Sequence, residues 1–564
     1  MSTRQTWLQL GLILGILLFI NVLGSNFHGQ FDLTEDKRFT LTAATRTQLK
    51  QIKEVVFIKV LLDGEFPAGF KRLQRATKEI LDDFHNESAM ITYQFEDPTT
   101  GTPEEVAKRS EQLGKDGIKP FSLFIVENGQ KTQRLAYPYA IISYNNRQEV
   151  VKLLENQVPG SSQEVVLNNS VSMLEYKLTS AIRNVINNTR PNVAFVVGHG
   201  ELAGFEMADL LKSLQGFYNT VPVDLDSTFV IKPEIIPALI VAKPRRAFSD
   251  RDKFVIDQYV MHGGKIIWLV DRLAADTDSL ARYPRFSPVD YPTNLEDILF
   301  KYGVRVQPNL VLDLECGAIA LSTGKPDEAK APETFPWPYY PVAAPRSDHP
   351  IVKNLDRVWF RYPSSIDTIQ TKTYIKKTIL LASSNYSRIQ RTPVEIGLET
   401  VKNAPDKKQF NQPNQSLAVL LEGEFPSVFE NRVSSEMQQA LNDIKSPFIA
   451  KSKPTSMIVV SDGDVARNDI STKDNTHLPL GYSRDANYCF DNKDFIMNGI
   501  EYMLGNNGNL QARSKNVTLR LLDAQASDAQ KTLWQVFNIG GPLMLVGIFG
   551  WLFTWLRRRK YAGR

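Results

Sequence analysis

Cysteine is almost absent from this sequence, since only Cys316 and Cys489 occur among its 564 residues. No C-x-x-C motif is present, which excludes a thioredoxin-type redox centre, and two cysteines with scattered histidines do not make a zinc site. In an oxidising compartment the two cysteines could form one disulfide, and two separate buried thiols are the alternative. The sequence therefore predicts no cofactor and no bound metal.

Two motifs of enzyme chemistry are missing as well. No G-x-x-x-x-G-K-[ST] segment occurs, so the chain has no P-loop and any ATP hydrolysis must take place on another subunit. No G-x-S-x-G or G-x-C-x-G turn presents a nucleophile: Cys316 lacks the first flanking glycine, and Cys489 precedes a helix. We therefore predict a protein that is not an enzyme. A membrane-tethered hydrolase or amidotransferase-like enzyme is the alternative.

The folded part also lacks a basic stripe. The formal net charge is +4, but Arg4 and the cations after Leu556 account for all of it, and the residues between them are slightly acidic overall. Nucleic-acid-binding domains usually carry a basic patch on the domain itself. We therefore expect no nucleic-acid partner.

Charge is absent from a first apolar run between Gln5 and Phe27, which is long enough to cross a bilayer. We predict a transmembrane helix over residues 6–27, in which Gly11 and Gly15 have a spacing that lets two membrane helices pack closely. A secretory signal peptide with Arg4 as its basic region is the alternative. In both cases the chain that follows is exported.

A second uncharged run covers residues 532–556 and predicts a C-terminal transmembrane helix. Tryptophans lie near its two ends, and the cations Arg557–Lys560 follow at once, which places the C-terminus in the cytoplasm. With two spans, both termini are then cytoplasmic and the large domain lies on the other, periplasmic side of the membrane. The segment Gly540-Gly541-Pro542 predicts a break in the span that neighbouring helices compensate.

Between the spans, apolar strands alternate with amphipathic helices, which predicts an α/β fold. We place a membrane-proximal α/β domain at residues 31–160, a second α/β domain with a mostly parallel sheet at 161–505, and a linker at 506–531. The second domain contains short, wholly apolar strands, which are typical of parallel sheets covered on both faces. A proline-rich stretch near 325–350 predicts an extended excursion outside the core.

Four polar residues follow predicted strands of the second domain. His199 and Glu201 belong to a Gly198-His199-Gly200-Glu201 turn, and Asp271 and Asp462 each come after an apolar run. Ligands of α/β sheets bind beyond the carboxyl ends of the strands, so these four are our candidate ligand-binding residues. The alternative is structural: His199 bonds a backbone carbonyl, and the acids cap helices.

The order of several segments resembles the GldG family, the auxiliary component of the gliding-motility ABC transporter of Bacteroidetes. The likeness spans nearly the whole chain, including both terminal runs, and its segments are the juxtamembrane FDLTEDKRFTLT (31–42), GHGE (198–201), the block from PALIVAKPRR to WLVDR (237–272) and MIVVSDGDVARND (457–469). The resemblance implies an inner-membrane complex with a separate ATPase and a multi-span permease. It also implies an amidotransferase-like fold for the exported domain, a substrate-binding role, and no established catalytic set.

We therefore predict a non-catalytic accessory subunit of an ABC transporter that supports gliding motility and the associated secretion. Its periplasmic domain binds substrate or partner proteins. Its two spans contact membrane lipid and the permease, and through the permease the ATPase. Two spans are too few to form a channel alone.

Overall fold

The computed structural model describes residues 40–505 and the helix Lys531–Tyr561, together with Ala512 and five positions before residue 20. Within 40–505 it leaves out 117, 128–129, 156–161, 188–189, 322–331, 354, 399–400, 402–405 and 472–475. The chain divides into two compact units, Met1–Asn516 and Val517–Arg564. The predicted N-terminal span at 6–27 falls almost wholly outside the described residues, and so does the predicted linker at 506–531.

The first part of the larger unit is built on a four-stranded sheet. In chain order its elements are α1 (Ala43–Lys50), β1 (Val56–Val60), α2 (Ala68–Glu87), β2 (Ile91–Phe95), α3 (Pro103–Lys115), β3 (Phe121–Glu127), β4 (Gln130–Ala136), β5 (Tyr139–Tyr144), β6 (Arg147–Lys152) and α4 (Gln163–Asn187). The sheet order is β2-β1-β5-β6, and β3 and β4 form a separate hairpin. Strand β1 pairs in parallel with β2 and antiparallel with β5.

Helix α4 belongs to the core of this first sheet. Its side chains Leu174, Leu178 and Ile182 are buried in the same apolar cluster as Ile58 of β1 and Leu81 of α2. The apolar residues of α4 recur at intervals of three and four, which is the period of one helix face. The long helix therefore covers the sheet that precedes it in the sequence.

The second part is built on a ten-stranded sheet and several two-stranded ribbons. Its elements are β7 (Asn192–Val197), α5 (Ala208–Gln215), β8 (Asn219–Asp224), β9 (Ala238–Ala242), α6 (Asp250–Met261), β10 (Lys265–Leu269), β11 (Leu273–Ala274), α7 (Asp278–Arg282), β12 (Arg285–Phe286), β13 (Val289–Asp290), α8 (Glu296–Tyr302), β14 (Val304–Val306), β15 (Asn309–Asp313), β16 (Cys316–Leu321), β17 (Glu333–Pro345), β18 (Val358–Trp359), β19 (Ile366–Thr368), β20 (Ile375–Ala382), β21 (Ser387–Arg391), β22 (Ile396–Gly397), β23 (Ser416–Gly423), α9 (Ser435–Asp443), β24 (Thr455–Val460), β25 (Tyr482–Ser483), β26 (Tyr488–Cys489) and α10 (Asn492–Met503).

The large sheet is mixed, so the expectation of a mostly parallel sheet was wrong. Its order is β16-β17-β20-β23-β24-β10-β9-β7-β8, with β18 paired to β17. The strands from β24 to β8 are parallel, but β23, β20 and β17 pair antiparallel. Burial on both faces makes strands of either direction apolar throughout, and the apolar pattern therefore did not reveal the direction of pairing.

Strand β9 shows why the parallel strands are apolar at every position. Ala238 and Ile240 point into one core, which α5 and α10 cover, whereas Leu239 and Val241 point into the other, which α6 and α8 cover. Successive side chains of a strand point to opposite faces. Because both faces are packed, all five residues of β9 are buried.

The proline-rich stretch is part of the core and not an excursion from it. Its described residues form most of β17, and Trp337, Tyr339 and Ala343 are buried there. Proline lacks the N–H group that a central strand must donate. Strand β17 tolerates its prolines because its pairing with β16 is bulged and its pairing with β20 covers two residue pairs.

Helix α6 begins with a capping box. The Ser249 side chain accepts the Asp252 N–H, and the Asp252 carboxylate accepts the Ser249 N–H. This arrangement satisfies backbone donors that the first turn leaves free.

The C-terminal unit contains α11 (Lys531–Tyr561). Its segment Trp534–Arg559 is long and apolar enough to cross a membrane, and none of the apolar window is buried. Among the described residues, this is the candidate span. The helix continues through Pro542, so the predicted break does not interrupt it.

A buried carboxylate connects α4 of the first core to the second sheet. Glu501 on α10 is fully buried, and its Oε1 accepts the Tyr176 hydroxyl at 2.8 Å and the Tyr218 hydroxyl at 2.5 Å. The Glu501 Oε2 atom accepts no hydrogen bond from the described residues. The two tyrosines are therefore the hydrogen-bond donors that compensate the buried charge.

We expect Tyr176→Phe to lower the free energy of unfolding by about 1.5–3 kcal/mol, because a hydrogen bond to a charged group contributes about that much. Urea denaturation of the protein in mild detergent measures the change. Tyr386→Phe is the control, since Tyr386 is exposed. An equal loss of stability in both variants would contradict the role of Glu501.

Candidate functional site

Four loops meet at the carboxyl edge of the parallel strands. They follow β7, β9, β10 and β24, which are neighbours in the sheet. Backbone hydrogen bonds join them: the Lys243 N–H donates to the Leu269 carbonyl, the Leu202 N–H to the Ala242 carbonyl, and the Arg245 N–H to the His199 carbonyl. At the end of β24, the Val460 carbonyl accepts the Val270 N–H. The loops therefore form one connected surface.

Three aspartates and a lysine form the centre of this edge. Each of Asp271, Asp462 and Asp464 presents a carboxylate oxygen, and the three oxygens lie within 4.8 Å of one another. Lys243 Nζ lies 2.9 Å from Asp271 Oδ2 and 2.5 Å from Asp464 Oδ2. All four residues are buried. We call these four residues the lysine–aspartate cluster.

The backbone holds Lys243 in a conformation that a lysine rarely adopts. Its φ is +53°, in the left-handed region that favours glycine. The turn after β24 lies directly against it, since a Cβ added to Gly463 would be 2.3 Å from Lys243 Cβ. The Gly463 N–H also donates to Asp271 Oδ1. Only glycine therefore fits at position 463.

The charges of the cluster are fixed by their surroundings. Burial opposes protonation of Lys243, but Asp271 and Asp464 outweigh it and raise its pKa. Burial works against the Asp464 carboxylate, yet Lys243 and nearby arginines lower its pKa to about 2. The pKa of Asp462 is raised well above its usual value by burial and then by Asp271. Lys243 is therefore a cation at neutral pH, which is not the form in which a lysine acts as a nucleophile.

A second ring of charges surrounds the cluster. The Arg361 N–H donates to Asp462 Oδ2 at 2.5 Å, and its guanidinium lies 2.9 Å from Asp469. Arg467 lies 3.5 Å from both Asp464 and Glu206. Arg361 and Arg467 are therefore already paired with carboxylates, which competes with binding of an external anion.

His199 and Glu201 form a separate group on the same edge. The His199 N–H donates to Glu201 Oε2 at 2.7 Å, and His199 Nδ1 lies 3.4 Å from Glu201 Oε1. On the other side, His199 Nε2 lies 3.3 Å from Asp252 Oδ2. The imidazole also stacks on Phe248, with ring centroids 3.8 Å apart. The histidine side chain therefore faces two carboxylates, and not the backbone carbonyl of the structural alternative.

The pKa of His199 is set by competing effects. Burial favours the neutral ring, but hydrogen bonds to Glu201 and Asp252 outweigh burial and raise the pKa above its usual value. Asp252 at the same time accepts the Ser249 N–H in the capping box of α6. The group therefore fixes the β7 loop to the start of α6.

The sequence predicted only part of these groups. The structure brings Asp271 and Asp462 together, and it brings His199 and Glu201 together, but Lys243, Asp252 and Asp464 were missed. Lys243 directly follows the buried strand β9, and that position was the available signal. The other two lie in the Ser249-Asp250-Arg251-Asp252 and Ser461-Asp462-Gly463-Asp464 runs, where we expected helix caps or single site residues.

The two cysteines are free thiols in the structure. Burial is the main reason why the pKa of each thiol is raised, to about 12 for Cys316 and to about 12 for Cys489. A nucleophilic cysteine needs a lowered pKa. Neither thiol has the environment of a catalytic residue.

Comparison with known proteins gives a family match across this region. A family model described as an ABC-type uncharacterized transport system, an auxiliary domain, matches residues 190–499, which is more than half of the chain. A domain of unknown function matches residues 35–143. An uncharacterized protein of Borreliella burgdorferi is 21% identical over 481 residues, which cover 82% of each chain.

Two solved structures are similar only in part. The mmIFT52 N-terminal domain aligns with 56% of this chain and 97% of its own, with 10% identity and a TM-score of 0.30. The exo-beta-1,4-mannosidase Op5Man5 from an Opitutaceae bacterium aligns with 53% of this chain and 35% of its own, with 11% identity and a TM-score of 0.20.

We expect His199 to stabilise the fold more at low pH than at high pH. A raised folded pKa means that this contribution is fully present below the unfolded value near 6.5 and is lost as the pH rises through the folded pKa. The difference in melting temperature between the wild type and His199→Gln should therefore be larger at pH 5.5 than at pH 9. His262→Gln is the control, since His262 Nδ1 lies 2.8 Å from the Gln258 carbonyl oxygen. A difference that grows with pH would contradict the assignment.

Proposed function

Because the chain belongs to the family of auxiliary domains of ABC-type transport systems, we propose that it is the non-catalytic accessory subunit of an ABC transporter that supports gliding motility and the associated secretion. The family match carries the transporter role. The likeness of residues 31–42 and 457–469 to the GldG family supports the motility role. A multi-span permease and a separate ATPase complete the complex, since the chain itself has no P-loop.

The observation that supports a permease partner is the exposed helix α11. Gly540, Gly547, Gly550 and Thr554 recur at intervals of seven, three and four, and so share one face of the helix. A Cβ added at any of the three glycines would meet no atom within 4 Å. Small residues let membrane helices approach closely. In this proposal the permease packs against that glycine face.

The exported domain binds substrate or partner proteins through the loops at the carboxyl edge. His199, Glu201, Asp271 and Asp462 are each less than 9% exposed, so in this proposal they hold the loops in place. Phe205 follows β7 and Phe229 follows β8, and both are more than 60% exposed. Exposed aromatic side chains are typical of contact surfaces between proteins. This arrangement favours a protein partner over a small ligand.

In the proposed topology both termini are cytoplasmic and residues of about 30–530 are periplasmic, in the inner membrane. The cations Arg557–Lys560 at the end of α11 support this orientation. We expect a reporter that is active only in the periplasm to be silent when it is fused after Arg564 and active when it is inserted after Asn403. A periplasmic signal from the C-terminal fusion would overturn the topology.

We expect the glycine face of α11 to be needed for binding the permease. Gly547→Leu/Gly550→Leu should lower the yield of permease that co-purifies in mild detergent several-fold, because the larger side chains keep the helices apart. Replacement of residues 532–556 by an unrelated apolar helix should have the same effect.

The control for the glycine face is Leu545→Ile/Leu552→Ile on the opposite face of the helix, which should leave the yield unchanged. Full recovery of the permease with both test variants would place the contact in the periplasmic domain.

A further inference from the structure

The lysine–aspartate cluster has the ligands of a divalent cation. Carboxylate oxygens are the ligands that Mg²⁺, Mn²⁺ and Ca²⁺ prefer. The oxygens of Asp271, Asp462 and Asp464 lie within 4.8 Å of one another. A cation about 2.4 Å from each ligand would join oxygens up to about 4.8 Å apart. The spacing therefore fits one ion.

A cation already occupies the centre of this cluster, and it belongs to the chain. Lys243 Nζ is within 2.9 Å of Asp271 and 2.5 Å of Asp464. The left-handed backbone at Lys243 and the close approach of Gly463 hold the lysine there. A conformation that costs free energy persists only where the surrounding structure requires it.

One carboxylate oxygen of the cluster lacks a hydrogen-bond donor among the described residues. Asp464 Oδ1 is buried and accepts no hydrogen bond from the described residues, although Arg467 lies 3.5 Å from it as an ion pair. The Lys243 ammonium pairs directly with two of the three aspartates, Asp271 and Asp464, whereas a divalent ion would supply one more positive charge. The site could therefore accommodate more charge than Lys243 provides.

We propose that Asp271, Asp462 and Asp464 form a divalent-cation site that Lys243 keeps filled, so that removal of the ammonium group opens the site to Mn²⁺ or Mg²⁺. The lysine is a covalently attached substitute for the metal. The wild-type protein is accordingly independent of divalent cations, and its Lys243→Met variant depends on them.

The test uses the full chain in mild detergent, with melting temperature measured in EDTA and in Mn²⁺. Lys243→Met should melt lower than the wild type in EDTA, because Asp271 and Asp464 lose their buried partner. Saturating Mn²⁺ should raise its melting temperature by about 3 °C or more. The wild type should not respond, and the added substitution Asp271→Asn should abolish the response.

Lys253→Met is the matched control. Lys253 is as buried as Lys243 and lies 2.9 Å from Asp297 and 3.3 Å from Asp250, but the side chains of these two partners are 40% and 80% exposed. This variant should lose stability without any response to Mn²⁺.

Two further measurements keep the proposal testable if Lys243→Met folds poorly. Lys243→Gln should show the same response, and the soluble yield of either variant should rise when Mn²⁺ is present throughout purification. Binding of Mn²⁺, followed by the loss of its free electron paramagnetic resonance signal, should be stoichiometric in the variants and absent in the wild type. No binding to either variant, or recovery of neither variant with Mn²⁺, would overturn the proposal, and so would equal binding to the wild type.

Discussion

The ion pairs of Lys243 with Asp271 and Asp464 are the interaction on which the carboxyl edge of the sheet depends. They connect the loops after β9, β10 and β24 at a point that water hardly reaches. Removing one partner of a buried ion pair leaves an uncompensated charge, which costs far more than the loss of a surface pair. The position of each loop therefore depends on the others, and the surface that the loops present outward has one arrangement.

The sequence predicted best those elements that are short apolar runs bounded by turns or helices with clear end signals. The strands at 91–95, 192–197 and 455–460 coincide with short apolar runs of the sequence. The ends of helix α6 are marked in the sequence by Ser249 and by Gly263-Gly264. The antiparallel half of the large sheet was missed, since apolar strands do not show in which direction they pair. Strand β17 was missed because prolines concealed its buried aromatic residues.

The candidate site was predicted in position and only partly in composition. Turns after strands identified Asp271, Asp462, His199 and Glu201, because the carboxyl ends of parallel strands share an edge. The partners of these residues could not be predicted in the same way. Lys243 is a single cation between a strand and a proline, with no periodic pattern around it. Asp252 has two roles, as the third residue of α6 in its capping box and as the partner of His199, and the sequence shows only the first.

The hydrogen bonds at Glu501 have a consequence for how the protein unfolds. Tyr176 belongs to a helix of the first core, whereas Glu501 and Tyr218 belong to the second. If the first core opened alone, the second would retain a buried carboxylate that had lost one of its two hydroxyl donors. Unfolding of either core alone therefore destabilises the other core. Such coupling favours a single unfolding transition over two separate ones. A protease that cut the chain between α4 and β7 would then leave a nicked protein whose fragments remain together.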